Sequence, residues 1–88
     1  MTTIYKYPFQ ITGTQELSLP KGAIILHAGL DGGNQPCIWA VVEPSNPSQP
    51  QLVYLTGTGG PMPPEPYLHL STFTQDPFVW HVFLPSLP

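Results

Sequence analysis

Arginine is absent from this chain, and ionisable side chains of any kind are scarce. Two cations, Lys6 and Lys21, stand against five acids, Glu16, Asp31, Glu43, Glu65 and Asp76. Charged residues make up 8% of the sequence, where a typical soluble domain carries about 25%. Gripping a nucleic-acid backbone requires several Lys and Arg that release counterions, so a net charge of −3 with two lysines excludes that partner. Adhesion to an anionic membrane is excluded for the same reason. No apolar run approaches the roughly 20 residues that cross a bilayer as a helix. The opening "MTTIYKYPF" has neither the basic nor the apolar region of a signal peptide. Cys37 stands alone, so no intrachain disulfide forms, and a reducing cytoplasm is the expected location.

Helix-length segments are lacking as well. The 13 prolines cut the chain into short pieces, and a proline inside a helix costs about 3 kcal/mol. The longest proline-free piece, 21–35, contains Gly22, Gly29, Gly32 and Gly33, which also disfavour a helix. What remains is β-branched and aromatic, in runs separated by turn residues. Eighty-eight residues in this pattern predict one small all-β domain, an antiparallel β-sandwich or barrel of about seven short strands. The strands are expected at 3–8, 14–19, 23–30, 37–43, 51–56, 67–73 and 78–84. "TGT" (12–14) fits a hairpin turn, and "DGGNQP" (31–36) offers glycines for positive φ. "EPSNPSQP" (43–50) reads as a proline-spaced loop, "GTGGPMPPEP" (57–66) as the longest irregular stretch, and "TQDP" (74–77) as the last hairpin turn.

Successive strand residues face opposite ways. In 37–43, Ile38, Ala40 and Val42 share one face and Cys37, Trp39 and Val41 the other. In 78–84, Phe78, Trp80, Val82 and Leu84 oppose Val79, His81 and Phe83. Both faces of both strands are apolar, which predicts central strands or strands covered by another subunit. Sparse charge and two-sided apolar strands together predict a homo-oligomer.

The candidate ligand-binding residues are Trp39, Tyr54, Thr56, Gly57, Thr58, Gly59, Gly60, Trp80 and His81. The segment "LTGTGGP" (55–61) can turn successive backbone amides toward an anion, with Thr56 and Thr58 adding hydroxyls. It is not a P-loop, since no Gly-Lys-Ser/Thr follows, and the plainer reading is a glycine-permitted turn at a strand end. Aromatic side chains belong to the core by default, with Trp39 and Trp80 the two that could offer a stacking face. His27, His69 and His81 lack metal-ligand spacing, so no metal or other cofactor is expected. No Ser or Cys stands in a nucleophile pattern, and Cys37 reads as a small core residue, so the chain is expected not to be an enzyme.

The stretches "IYKYPF", "LPKGAIIL", "QPCIWAVVEP", "GTGGP" and "FVWHVF" follow one another in an order that resembles a family of short, uncharacterised phage and prophage proteins. The likeness runs from Ile4 to Phe83, and the proline-rich "PMPPEP" departs from it. The resemblance implies a non-enzymatic accessory factor in the host cytoplasm. One form is an oligomeric sponge that sequesters a nucleotide-derived immune signal; the alternatives are a protein–protein inhibitor of a host defence component and a minor virion part.

Overall fold

A computed structural model describes residues 1–86 and shows an all-β, sandwich-like fold with no helix among them. The strands are β1 (Thr3–Pro8), β2 (Thr14–Pro20), β3 (Ile24–Leu30), β4 (Pro36–Val42), β5 (Ser48–Gly57), β6 (Tyr67–Gln75) and β7 (Phe78–Pro85). They form two sheets, ordered β1-β4-β3 and β2-β5-β7-β6, and every pairing is antiparallel. All seven expected strands are present. The two strands with apolar residues on both faces, β4 and β7, are internal to their sheets.

Three local expectations are corrected. β5 begins at Ser48 rather than 51, despite Pro50. Only residues 54–57 of β5 pair with β7, so the earlier half has β2 on one side alone, and Pro50 lacks an N–H where no partner would accept it. Residues 12–14 do not form a hairpin, because β1 and β2 belong to different sheets and this segment carries the chain between them. In the β3–β4 turn the positive φ falls on Asn34 (64°), not on a glycine. Asparagine tolerates this left-handed conformation better than most residues.

Asp31 holds that turn together. Its carboxylate accepts from Lys6 Nζ (2.9 Å) and from the backbone N–H groups of Gly33 (2.8 Å) and Gln35 (3.0 Å). The Lys6 hydrogen bond leads in lowering its pKa to about 2. Cys37 Sγ lies 3.7 Å from the same carboxylate. Burial, then the Asp31 charge, pushes the thiol above its ordinary range, which suits an inert core side chain.

The core draws on both sheets. Phe9, Ala28, Ile38, Val53, Leu55 and Val82 form its centre, with Leu17, Ile25, Leu70, Phe73, Trp80 and Leu84 packed around it. One buried polar group joins the layers where β3 packs on β6. Ala28 N–H donates to Ser71 Oγ (3.0 Å), and that hydroxyl is 3.2 Å from His27 Nδ1. Ser71 is 5% exposed, so water cannot replace this bond.

Two expectations follow. Asp31→Asn should flatten the acid limb of stability. A carboxyl lowered from 3.8 to about 2 stabilises the fold above about pH 4, and that contribution is lost as the pH falls through about 2. Melting temperature measured from pH 6 to 2 should therefore fall less steeply in the variant, leaving the slope due to Glu43, whose carboxyl is lowered by the N-terminal ammonium and by Ser45. Ser71→Ala leaves the Ala28 amide buried without an acceptor and should cost about 1–3 kcal/mol in urea unfolding.

Candidate functional site

β5 and β6 both run antiparallel to β7, which lies between them, so β5 and β6 are parallel to each other. The chain must therefore travel back along the sheet between Gly57 and Tyr67. Residues 58–66 make that return, and their prolines favour an extended backbone that needs no ladder partner. The return begins with a tight turn. Gly60 N–H donates to Gly57 C=O (2.8 Å) and Gly59 has φ +91°. A Cβ on Gly60 would lie 2.7 Å from Thr56 Oγ1 and 3.1 Å from Gly57 C=O, so a larger residue would have to displace both. Thr58 N–H donates to Val79 C=O (3.2 Å). The glycines are thus accounted for by the turn, and two amides expected to cradle an anion are bonded within the fold. Hydroxyls and rings remain as the groups that can recognise a ligand.

Those groups lie on the outer face of the four-stranded sheet. Val53, Leu55 and Val82 point into the core, so Tyr54, Thr56, His81 and Phe83 point away from it. The register sets Tyr54 beside Phe83 and His81 between Thr56 and Thr72. Phe83 is only 7% exposed although it faces outward, being closed over by the edges of Tyr67 (5.2 Å) and His69 (5.3 Å). A hydrogen-bonded chain crosses this face: Thr58 Oγ1–His81 Nε2 (2.8 Å), His81 Nδ1–Thr72 Oγ1 (2.9 Å) and Thr72 Oγ1–His69 Nε2 (2.8 Å). With both rings neutral, the donors can all point from Thr58 toward His69 or all the reverse way. Reversing the direction exchanges the outward hydrogen-bonding capacity of Thr58 between acceptor and donor.

A cleft of about 340 Å³ opens between β5 and the return segment. Gly13, Thr14, Tyr54 and Thr56 line one side, and Gly60, Pro61, Met62, Pro63 and Pro64 the other. A second hollow of about 240 Å³ lies beyond the glycine turn, against Thr58, Phe78 and Trp80. There Trp80 covers Gly57, where a Cβ would come within 3.1 Å of the indole. Its Nε1–H donates to Gln75 Oε1 (3.1 Å), and exposed Phe78 stacks on it with centroids 5.5 Å apart and planes at 28°.

Of the candidate residues, Gly57, Thr58, Gly59 and Gly60 form the turn and Tyr54, Thr56 and His81 lie beside it on the outer face, whereas Trp80 lies on the inner face with Val82, packed against the core and over Gly57. Trp39 stands apart from them. It lies in the other sheet, paired with Lys6 and His27, whose ring is 6.0 Å from its own. Sequence reasoning missed Thr14 and Met62 of the cleft, and the partners Thr72 and His69 of His81. The register between strands brings these residues in, and no spacing in the chain announces it. It also missed the Ser71–His27 pair, which lies 44 residues apart. That serine is buried and occupied by Ala28, and His27 bonds no carboxylate among the described residues, so the pair is a joint between sheets. No group of three or more His, Cys, Asp or Glu side chains able to hold a metal forms among the described residues.

The chain belongs to a family known only as a domain of unknown function (DUF7352), whose model matches residues 1–87. No curated protein and no solved structure matches it. Among the described residues there is no helix long and apolar enough to cross a membrane.

Thr72→Val removes the hydroxyl shared by the two imidazoles. The ¹⁵N resonances of both His69 and His81 should then move together, while stability changes by about 1 kcal/mol or less, as for other solvent-exposed hydrogen bonds.

Proposed function

We propose that this protein is a non-catalytic binding protein that holds a small planar ligand in the cleft between β5 and the return segment. The observation that carries the reading is the cleft itself: about 340 Å³, with the half-buried Tyr54 ring flanked by the hydroxyls of Thr14 and Thr56 and faced by proline and methionine. Mostly apolar walls with a few fixed polar groups are the usual make-up of a small-molecule site, and this volume lies in the range such sites occupy. An aromatic side chain with hydroxyls at its margin suits a heterocyclic base, which can stack and be hydrogen-bonded at its edge.

The cleft favours the base end of a nucleotide over its phosphates. Lys6 is paired to Asp31 in the other sheet, and Lys21 follows the end of β2 remote from Thr14. The two groups best suited to nucleophilic chemistry are engaged elsewhere, Cys37 in the core and Ser71 between the sheets. In this reading the chain is a phage-type accessory factor of the host cytoplasm that withholds a nucleotide-derived signal, and it works as a homo-oligomer. Self-association is supported by the low charge and by exposed apolar side chains such as Ile4 (56%), Ile24 (62%) and Phe78 (56%).

Calorimetry with nucleosides, cyclic dinucleotides and cyclic ADP-ribose isomers tests the ligand class. Binding of at least one is expected, weakened about tenfold or more by Tyr54→Ala and left unchanged by Trp39→Ala. Heat signals from none of them would discard the reading.

A further inference from the structure

We propose that the free edge of β2 pairs with the same edge of a second copy, joining two four-stranded sheets into one continuous sheet with its two-fold axis at Leu17. This rests on the self-association proposed above and names its surface.

The other sheet edges are occupied or blunted. β3 and β6 pack against each other. β1 carries Pro8 and the ion-paired Lys6, and proline and lysine are the residues that commonly protect an edge. The stretch of β5 that β7 leaves unpaired holds Pro50, and its Leu52 C=O accepts from Gln51 Nε2 (3.0 Å). β2 carries a proline only at its last residue, Pro20, and no lysine.

The hydrogen-bond parity of β2 shows what it offers. Leu55 N–H donates to Gly13 C=O (2.9 Å) and Lys21 N–H to Pro47 C=O (2.8 Å), and the register between them is unbroken. Bonded and non-bonded positions alternate in an antiparallel ladder, so the odd-numbered residues face β5. Thr14, Glu16 and Ser18 therefore point their amides to the open side, and Pro20 points its C=O there.

Only one two-fold register suits these groups. Centring on Glu16 sets the two Glu16 carboxylates directly opposite each other, a destabilising like-charge pair. Centring on Ser18 sets Glu16 against Pro20 and leaves the Thr14 amide without an acceptor. Centring on Leu17 sets Glu16 against the second copy's Ser18 and Thr14 against its Pro20. Each outward amide then finds a carbonyl: Glu16 and Ser18 exchange bonds, and Thr14 donates to Pro20, which needs no acceptor in return. The two Leu17 side chains meet in the closer, non-hydrogen-bonded type of pair, on the face that already packs against the core. Thr14 also lines the ligand cleft, so the joint places the second copy's Pro20 beside that cleft's margin.

Light scattering should give a mass of twice 9.6 kDa. Cysteine placed singly at Glu16, Leu17 or Ser18 tests the register, with native Cys37 fully buried and out of reach. Mild oxidation should link copies of Leu17→Cys about tenfold faster than copies of Glu16→Cys or Ser18→Cys. Ser18→Pro, which removes an outward amide but no ladder bond to β5, should weaken the dimer about tenfold or more. A dimer mass with cross-linking fastest at another of these positions would overturn the Leu17 register, and cross-linking at none would overturn this edge while leaving self-association intact. So would a dimer untouched by Ser18→Pro. A monomer mass would overturn both, and one whose β2 amides resist hydrogen exchange only with an added strand-forming peptide would assign the edge to another protein. None of these outcomes bears on ligand binding, which is measured separately.

Discussion

The position of β7 between the parallel strands β5 and β6 governs the rest of this molecule. It obliges the chain to cross from one end of the sheet to the other outside the core, and residues 58–66 do so beside β5. The glycine turn, the proline run and the cleft are consequences of that single order. A hairpin between β5 and β6 would have needed only a few residues and left no return segment to form a wall. The connection is instead long enough to shape a concave surface, and its prolines hold it extended without ladder bonds.

Scarce charge shapes the polar chemistry. Apart from the Asp31 cluster and Glu43, which takes the N-terminal ammonium and Ser45, the polar side-chain contacts among the described residues are neutral ones among hydroxyls, imidazoles, amides and the Trp80 indole. Such contacts need less desolvation than ion pairs and fit an interior this shallow. No buried side-chain nitrogen or oxygen among the described residues lacks a partner. His81 illustrates the pattern, with a threonine on each ring nitrogen.

Strand periodicity was legible because it is local. The two-sided apolar pattern of "CIWAVV" and "FVWHVF" marked β4 and β7 as central strands or strands covered by another subunit, and both are internal to their sheets, with Ile38, Ala40 and Val82 buried. Proline misled at Pro50, because its tolerance depends on whether a neighbour stands on its N–H side. Glycine misled at 31–36, because Asn34 took the left-handed position while Asp31 accepted the turn's amides. The residues 55–61 were legible as a special segment. Which neighbours they would meet was not, since Thr14, Met62 and Thr72 arrive through strand order and register.

Composition and alternation by themselves determined an all-β chain of seven strands, two of them apolar on both faces, with only two cations. These properties belong to each residue and its immediate neighbours, so they can be read along the chain. The tertiary structure alone decided that β1 and β2 part into different sheets, that Trp39 stands away from Trp80, and that Ser71 bonds across to Ala28 and His27. Each of those depends on which strands lie side by side. That choice is made by long-range burial and pairing, whose free energy no short stretch contains.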